Sequence, residues 1–253
     1  MNPELLLSRI RVVLCRPSHP GNIGAAARAM KTMGLSNLYL VAPKQFPDPE
    51  ADTRATGAVD VLQAAKITET LSEALVGTVF AVALSARQRD LGPSIGAPRE
   101  TVARLLQEAG EGDVALVFGN ETMGLTNDEI FHCQAAVTIP TNPDFSSLNL
   151  GSAVQVLCYE CRMSAFAEKP PVVAQGVTPF TSPVATNDEV EGFFGHLESV
   201  MITTGFYNPL QPGRLMPKIR RLFGRVRLEK DEVNILRGVL ASTQVKTGYG
   251  RKE

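Results

Sequence analysis

The chain has 253 residues, of which 44% are hydrophobic and 20% are charged, so we expect a globular protein of one large or two smaller domains. Its apolar runs are shorter than the roughly 18 residues of a membrane span, and its N-terminus is not typical of a signal peptide. The formal net charge of −1 does not by itself indicate a polyanion partner, and four cysteines favour a reducing compartment, which predicts a cytoplasmic protein.

Five short apolar runs alternate with patterns of helical spacing. Because nearly all residues of these runs are apolar, they predict an α/β fold with a parallel sheet and helices on both of its faces. The strands are expected at residues 10–15, 38–42, 79–84, 114–118 and 136–139. The helices are expected at residues 22–33, 58–65, 99–109, 127–133 and 148–167.

A proline-rich segment divides the chain. Residues 169–187 contain four prolines and one charged residue, which predicts a linker. Three helical patterns follow it, at residues 188–204, 216–225 and 230–244, and predict a small all-helical domain. We expect residues 1–6 and 247–253 to be frayed. The predicted division is therefore 1–168 for the α/β domain, 169–187 for the linker, 188–246 for the helical domain and 247–253 for a tail.

Basic residues concentrate in the predicted helical domain. From residue 188 onward there are 11 Lys and Arg against 8 Asp and Glu, and residues 214–230 hold seven basic residues and one acid. A solvated helix face is the simpler interpretation, but the basic run favours phosphate binding. The apolar residues of this helix have the spacing of one buried stripe: Ile219, Leu222, Phe223 and Val226. The candidate nucleic-acid contacts are Arg214, Lys218, Arg221 and Arg225.

Two of the predicted strands, at residues 114–118 and 136–139, end in polar loops that lead into helical patterns. In α/β proteins, ligand sites form at the carboxyl ends of adjacent parallel strands. The loops hold Gly, Asn, Ser and Pro and few side chains suited to metal binding or nucleophilic catalysis. Glu121 is the acid of the first loop, and it is either solvated or fixes the loop by accepting backbone hydrogen bonds.

The first strand also leads into a helix that begins with small residues, from Gly21 to Ala27. Such a start lets a ligand or another backbone come close, and its free N–H groups favour anions. The glycine spacing is not that of a dinucleotide site, which disfavours a nucleotide-dependent oxidoreductase. Arg28 follows three alanines on this helix, and it either reaches solvent or has a function.

Cysteine and histidine do not suggest a metal site. Cys158 and Cys161 lie inside a helical pattern without a second pair or a nearby histidine, so we expect them to be buried. The three histidines, His19, His132 and His196, are scattered along the chain. We predict no bound metal.

Three motifs give the chain a family resemblance. NIGAAARAM (residues 22–30), ALVFGNETMGL (115–125) and IPTNPDFSSLNLGSAVQVLCYE (139–160) resemble the three motifs of the SPOUT-class, TrmH-type ribose 2′-O-methyltransferases. KIRRLFGRVR (218–227) and EVNILRG (232–238) resemble the TrmJ branch of that family. That branch methylates the ribose of a pyrimidine in the tRNA anticodon loop. The resemblance covers about residues 9–244.

This resemblance implies a trefoil knot at the C-terminal part of the sheet, S-adenosylmethionine bound in the loops of the knot, and a homodimer whose active site takes residues from both subunits. The cofactor would lie mainly against backbone groups. The matching positions are Leu84, Ser85, Ala86, Gly119, Ile139, Ser146, Ser147 and Leu148. The resemblance assigns catalytic roles to Arg28 and Ser147 and active-site loop roles to Asn22, Glu121 and Asn149. The chain departs from its relatives at Asn120, where a basic residue is common.

The sequence therefore predicts S-adenosylmethionine-dependent methylation of a ribose 2′-hydroxyl in the tRNA anticodon loop, at position 32. The alternative is a non-catalytic RNA-binding or assembly factor on the same fold. Binding of S-adenosylmethionine discriminates between the two.

Overall fold

The structure, a computed structural model, describes residues 2–85, 91–167 and 182–248, with side chains up to residue 244. Its strands are β1 (Ile10–Cys15), β2 (Asn37–Val41), β3 (Lys66–Thr68), β4 (Thr78–Leu84), β5 (Ile95–Gly96), β6 (Asp113–Phe118) and β7 (Ala135–Val137). They form one sheet in the order β3-β2-β1-β6-β4-β7-β5, and all of its neighbours are parallel. The α/β fold with a parallel sheet is confirmed.

Helices precede, separate and follow these strands. They are α1 (Pro3–Ser8), α2 (Pro20–Met33), α3 (Pro49–Ala55), α4 (Val59–Gln63), α5 (Leu71–Ala74), α6 (Pro98–Glu108), α7 (Asn127–Phe131), α8 (Leu150–Ala165), α9 (Asn187–Thr203), α10 (Leu215–Gly224) and α11 (Lys230–Gly248). A 3₁₀ turn at Thr56–Ala58 joins α3 to α4.

The sheet is covered on both faces, which explains why its central strands are almost entirely apolar. In β1, Val12 and Leu14 belong to the core on one face, while Val13 and Cys15 belong to the core on the other. Successive side chains of a strand point to opposite faces, so a strand buried on both sides needs apolar residues at every position.

The predictions differ from the structure mainly at the ends and edges. The last predicted strand, 136–139, is shorter and ends at Val137 because the chain then turns into the polar loop. The expectation of a frayed start is wrong for residues 3–6, which lie in α1, because the Asn2 side chain accepts a hydrogen bond from the Glu4 N–H and caps this helix. Met1 lies outside the described residues. Leu7 anchors this helix in the core, where it is 2% exposed.

The three C-terminal helices pack around a cluster of phenylalanines. The ring centroids of Phe193 and Phe223 are 5.0 Å apart, and Phe194 lies beside both rings. Only two of the four residues in the apolar stripe predicted along α10 are packed against the other helices. Phe223, with Ile219, packs on this cluster, whereas Leu222 and Val226 are 53% and 56% exposed because only a narrow side of α10 meets the other helices.

Hydrogen bonds join these helices to the sheet. The buried Asn187 at the start of α9 donates to the Thr78 hydroxyl (2.7 Å), and Gln134 donates to the Asn187 side-chain oxygen (2.7 Å). The end of the predicted linker takes part in structure, because the Ala185 N–H donates to the Leu228 carbonyl (2.9 Å). The rest of that prediction, residues 169–181, lies outside the described residues. Among the helices of the described part, none is long and apolar enough to cross a membrane.

Candidate active site

Three separate segments meet where neighbouring strands end. Leu84 is the last residue of β4, Gly119 directly follows β6, and Ile139 follows β7 by two residues. Since β6, β4 and β7 are adjacent and parallel, these predicted cofactor positions lie along one edge of the sheet, with Leu84 level with Val137. Ala86, another predicted position, is outside the described residues.

This edge offers backbone donors to a ligand. The Ser85 N–H donates to the Val137 carbonyl (3.0 Å), and the Ser85 carbonyl accepts from the Thr138 hydroxyl, so Ser85 helps to hold β7 in place. Within the described residues, the N–H groups of Gly119, Ile139 and Leu148 have no hydrogen-bond partner. Because Gly119 and Ile139 are half-buried, their N–H groups need a partner from a bound molecule or water.

The loop after β6 has a shape that only glycine allows at its start. A Cβ on Gly119 would lie 2.2 Å from the carbonyl carbon of Gly124, because the loop folds back on itself. Asn120 holds this fold: its side-chain oxygen accepts from Thr122 and Met123 N–H groups (3.0 and 3.1 Å). Its amide donates to the carbonyl of Arg16, the residue that follows β1 (2.8 Å). A lysine or arginine side chain at this position could not accept the two bonds, because it has no acceptor atom.

Glu121 ties this loop to the start of α2. Its carboxylate accepts hydrogen bonds from the Ser18 N–H and hydroxyl (2.9 and 2.7 Å), the His19 N–H (3.3 Å) and the Asn22 amide (2.9 Å). Partial burial opposes ionisation, but the bonds from Asn22 and Ser18 lower the pKa of Glu121 to about 2. Of the two alternatives for Glu121, hydrogen bonding to backbone is confirmed, although the N–H groups belong to the loop before α2.

The polar chain continues to the third motif. The Asn149 amide donates to the Asn22 side-chain oxygen (2.8 Å), and the Asn149 oxygen accepts from the N–H groups of Gly151 and Ser152 at the start of α8 (2.9 and 3.4 Å). Glu121, Asn22 and Asn149 therefore connect one residue from each motif. They hold the exposed residues just before α8, which are Ser146, Ser147 and Leu148, beside the start of α2.

Arg28 lies on α2 beyond this polar chain. Its neighbours Ala26 and Ala27 are fully buried, but Arg28 is exposed, as expected for a side chain that reaches solvent. No hydrogen bond or ion pair holds its guanidinium within the described part of the chain. In a single chain, therefore, no contact of the described residues links Arg28 or the exposed Ser147 to the ends of β4, β6 and β7.

The predicted nucleic-acid contacts lie on α10 or next to its ends, and they separate into two groups. Arg221 and Arg225 line a cavity of about 830 Å³ between α10 and residues 91–94. Lys218 is exposed and Arg214 precedes the helix, and neither lines that cavity. Arg104 of α6 also lines it, and sequence pattern alone carries no signal for this residue.

The cysteines are structural. All four are free and buried, and burial raises the pKa of Cys158 to about 12. Cys161 is fully buried on the same helix. The prediction of buried helical cysteines is confirmed, and the described residues contain no cluster of side chains suited to a metal ion.

Sequence reasoning missed Arg16 and Ser18 in the loop after β1. Arg16 has a positive φ of 50° and forms a two-pronged ion pair with Glu129 (2.7 and 3.1 Å). A residue strained in this way is often part of a functional site. Pro20 at the first position of α2 is a helix-start signal that could have drawn attention to the residues before it, including Ser18. The partners of Arg16 depend on the folded chain.

Known proteins share this fold and this pattern. Residues 9–159 match the sequence profile of the SpoU rRNA methylase family, and residues 188–252 match that of the C-terminal domain of the tRNA methyltransferase TrmJ. The chain therefore belongs to the SpoU methylase family, and the protein is a methyltransferase. The resemblance found in the sequence motifs is confirmed.

The relatives narrow the family to one branch. The chain is 48% identical over 244 residues to the tRNA (cytidine/uridine/adenosine-2′-O-)-methyltransferase TrmJ of Pseudomonas aeruginosa, covering 94% of this chain and 95% of that one. The crystal structure of TrmJ from Z. mobilis ZM4 superposes with a TM-score of 0.81 at 32% identity, over 92% and 98% of the two chains. The methyltransferase AviRb of Streptomyces viridochromogenes, in complex with the cofactor AdoMet, has a TM-score of 0.50 at 25% identity, over 60% and 58%.

Proposed function

We propose that the protein transfers a methyl group from S-adenosylmethionine to the ribose 2′-hydroxyl of the pyrimidine at position 32 in the tRNA anticodon loop. The observation that carries this proposal is the chain of Glu121, Asn22 and Asn149, which joins the three motifs beside the strand ends. The names of the TrmJ relatives support tRNA as substrate, and the AviRb complex supports the cofactor.

The residues at the strand ends fit this cofactor. The eight positions are all uncharged, and Gly119, Ile139 and Leu148 offer backbone N–H groups that lack partners in the described part of the chain. When bound, S-adenosylmethionine supplies an activated methyl group on a positively charged sulfur. The residues that would hold it are Leu84, Ser85, Ala86, Gly119, Ile139, Ser146, Ser147 and Leu148.

The protein must align the acceptor and remove its proton. Alignment and exclusion of water can supply much of the acceleration. A guanidinium is effectively always protonated, so Arg28 cannot be the base. In our proposal Arg28 holds a substrate phosphate and steers the 2′-hydroxyl, which the phosphate or a water molecule deprotonates. Ser147, exposed before α8, is the second side chain that we place at the reacting group.

We further propose a homodimer that uses the outer face of α8. Tyr159, Met163 and Phe166 are 45%, 50% and 49% exposed there, at a spacing that places them on one side of the helix. The opposite side of α8 packs against α2. An exposed apolar strip of this kind is typical of an interface. A dimer would let Arg28 of one subunit serve the strand ends of the other, which fits the lack of contacts around Arg28.

The trefoil knot implied by the resemblance has support in the sheet. β7 lies between β4 and β5, so the connection between those two strands begins on one side of β7 and ends on the other. Its ends bond to β7 from both sides, through Ser85 to Val137 and through Ser94 to Ala136. The chain that follows β7 starts beside this connection. We infer that it threads through the loop that the connection forms.

In the domain division that we propose, residues 1–168 perform the chemistry and residues 188–246 bind tRNA, joined by 169–187 and followed by a tail, 247–253. The tRNA contacts are Arg214, Lys218, Arg221 and Arg225. A tRNA substrate and four free cysteines fit action in the cytoplasm.

The test is to map ribose methylation in unmodified tRNA transcripts incubated with the purified protein and S-adenosylmethionine. We expect one methyl group at the pyrimidine of position 32, and none when that position is guanosine. A transcript with adenosine there shows whether this chain shares the wider range in the name of the P. aeruginosa relative. Methylation elsewhere would reject the target, and tRNA binding without methylation would favour the non-catalytic RNA-binding factor.

A further inference from the structure

A residue outside the loop after β6 holds both halves of that loop, which comprises residues 119–125. Arg16 directly follows β1, the neighbour of β6 in the sheet. Its N–H donates to the Val41 carbonyl at the end of β2 (2.8 Å), which fixes Arg16 to the sheet. Its carbonyl accepts from the Asn120 amide (2.8 Å), and its Nη2 donates to the Gly124 carbonyl (3.3 Å). Arg16 therefore connects the sheet to the first and the second half of the loop.

The same guanidinium reaches the helix that follows the loop. Its Nε and Nη2 donate to the two carboxylate oxygens of Glu129 (3.1 and 2.7 Å), whose side chain is only 12% exposed. The oxygen that accepts from Nη2 also accepts from the Thr126 N–H (2.7 Å), as part of the capping box of α7. Two-pronged, charged hydrogen bonds of this kind are geometrically specific. Arg16 thus also fixes the point at which the loop ends.

The backbone of Arg16 is strained while it makes these contacts. Its φ of 50° lies in the left-handed region, which residues other than glycine rarely adopt. Such a conformation persists only where the surrounding contacts determine it. Rotation about φ changes the angle between the N–H and the carbonyl of Arg16, so these groups could not both keep Val41 and Asn120 as partners in a relaxed conformation.

The contact with Gly124 lies beside a predicted cofactor position. A Cβ on Gly119 would lie 2.7 Å from the Gly124 carbonyl oxygen, which is the atom that accepts from Arg16. The two ends of the loop touch at this point, so a movement of the Gly124 carbonyl would shift Gly119 or change the space in front of it. The N–H of Gly119 is one of the half-buried donors that we assign to the cofactor.

We propose that Arg16 is a positioning residue for cofactor binding, which keeps residues 119–125 in the arrangement that presents the Gly119 N–H to S-adenosylmethionine. The inference rests on the proposed function. Arg16 acts through the loop, because its Nε and Nη2 are engaged by Glu129 and Gly124. Without the guanidinium, the loop spends part of the time in other arrangements. The apparent affinity for the cofactor then falls in proportion to the fraction of molecules whose loop is competent.

The variant Arg16→Gly separates the guanidinium from the backbone. Glycine adopts a positive φ without strain, so the backbone bonds with Val41 and Asn120 are retained while the fork is lost. The matched control is Arg11→Gln, at the other end of β1, where the guanidinium pairs with Asp113 at the start of β6 (2.9 Å). Each variant loses a partly buried ion pair, but only Arg16 contacts the loop.

Calorimetric titration with S-adenosylmethionine measures the effect on binding. We expect Arg16→Gly to bind the cofactor about ten-fold more weakly, and Arg11→Gln to bind it as the unchanged protein does. In methyl transfer, the KM for S-adenosylmethionine should rise while kcat and the KM for tRNA stay the same, because the loop is correctly placed once the cofactor is bound. Lower stability alone would not separate KM from kcat in this way.

Hydrogen exchange in the protein without cofactor reports on the loop itself. The N–H groups of Thr122 and Met123 donate to the Asn120 side chain within the loop. In Arg16→Gly they should exchange about ten-fold faster, whereas the N–H groups of β4 should exchange at an unchanged rate. Addition of S-adenosylmethionine should slow the exchange of the loop again.

Glu129→Gln is a second variant, which decides the matter if Arg16→Gly is too unstable to study. Glutamine can still serve in the capping box with Thr126, but it removes the charge that holds the Arg16 fork. We expect weaker cofactor binding in this variant as well. Because both residues act through one network, the losses in the double variant Arg16→Gly/Glu129→Gln should be less than multiplicative.

The proposal is overturned if Arg16→Gly and Glu129→Gln bind S-adenosylmethionine as tightly as Arg11→Gln does, or if kcat falls while the KM for the cofactor is unchanged. If the unchanged protein binds S-adenosylmethionine but leaves position 32 unmethylated, the proposed function fails while the calorimetric comparison still decides the role of Arg16. If the unchanged protein does not bind S-adenosylmethionine, both proposals fail.

Discussion

Arg28 is the residue on which the proposed chemistry depends most. Arg28→Lys keeps the positive charge but loses the fork that would grip a phosphate and the hydroxyl together. We expect kcat to fall at least about 100-fold, with unchanged affinity for S-adenosylmethionine by calorimetry. Lys31→Arg, on the same helix and paired with Asp60, is the control and should leave kcat unaltered. A near-normal kcat in Arg28→Lys would remove Arg28 from the mechanism.

Glu121 is expected to contribute to stability through its charge. Glu121→Gln replaces an acceptor of four hydrogen bonds with a neutral amide, and we expect the free energy of unfolding at pH 7 to drop by about 1–2 kcal/mol after allowing for solvent screening. Urea unfolding measures this change. Glu111→Gln, which alters an exposed acid away from the site, should change it by less than about 0.5 kcal/mol.

The pH dependence gives this prediction a sign. The pKa of Glu121 in the folded protein, about 2, is below the ordinary value of 4.5. Its contribution is therefore fully present above pH 4.5 and is lost as the pH falls through 2. The stability difference between the unchanged protein and Glu121→Gln should shrink over that interval. A difference that stays constant down to pH 2 would show that the charge of Glu121 is not its cause.

At the scale of elements, the position of α2 depends on close backbone packing. A Cβ at Gly24 would lie 2.1 Å from the carbonyl oxygen of Ala51 on α3. We expect Gly24→Ala to lower the free energy of unfolding by about 3 kcal/mol, because backbone cannot yield as a side chain can. Gly57→Ala, at a position with open space around its Cβ, is the matched control for denaturant unfolding. Equal stability of the two variants would contradict this explanation.

The elements that could be predicted are those with a clear pattern. The central strands are apolar on both faces, so their runs were visible in the sequence. β3 and β5, at the two edges of the sheet, have three and two residues and no comparable run. The start of α3 did carry a signal: the Asp48 side chain caps it and Pro49 begins it. That helix was predictable and was missed.

At the scale of the whole molecule, the strip on α8 makes assembly testable. Met163→Glu places a charge in the middle of the proposed interface, and we expect a monomer by light scattering and a loss of methyl transfer, since the active site would lack its second subunit. Ile235→Glu, at a residue 66% exposed on α11, should leave the mass unaltered. Two outcomes would argue against the shared site: a Met163→Glu protein that keeps the mass of a dimer, or a monomeric Met163→Glu protein that transfers methyl groups normally.

Only those features of the site that lie within one continuous stretch of sequence could be predicted. Polar loops after apolar runs pointed to the strand ends, and the motif resemblance supplied the cofactor. The partners could not be predicted, because Glu121 meets Asn22 only when β6 and β1 lie side by side. The cavity between α10 and residues 91–94 was hidden for the same reason, because its lining residues Arg104 and Arg225 come together only through the packing of α10.

The place of β7 in the sheet also has a consequence for biosynthesis. β5 has β7 as its sheet neighbour, yet β7 follows β6 and α7 in the chain. Residues 95–96 leave the ribosome before their partner exists, and the sheet edge stays open until β7 arrives. Pairing between distant parallel segments is slow. Since Ile139 and Leu148 follow β7, we expect folding intermediates to lack affinity for the cofactor, which makes methyl-donor binding a marker of the last step of folding.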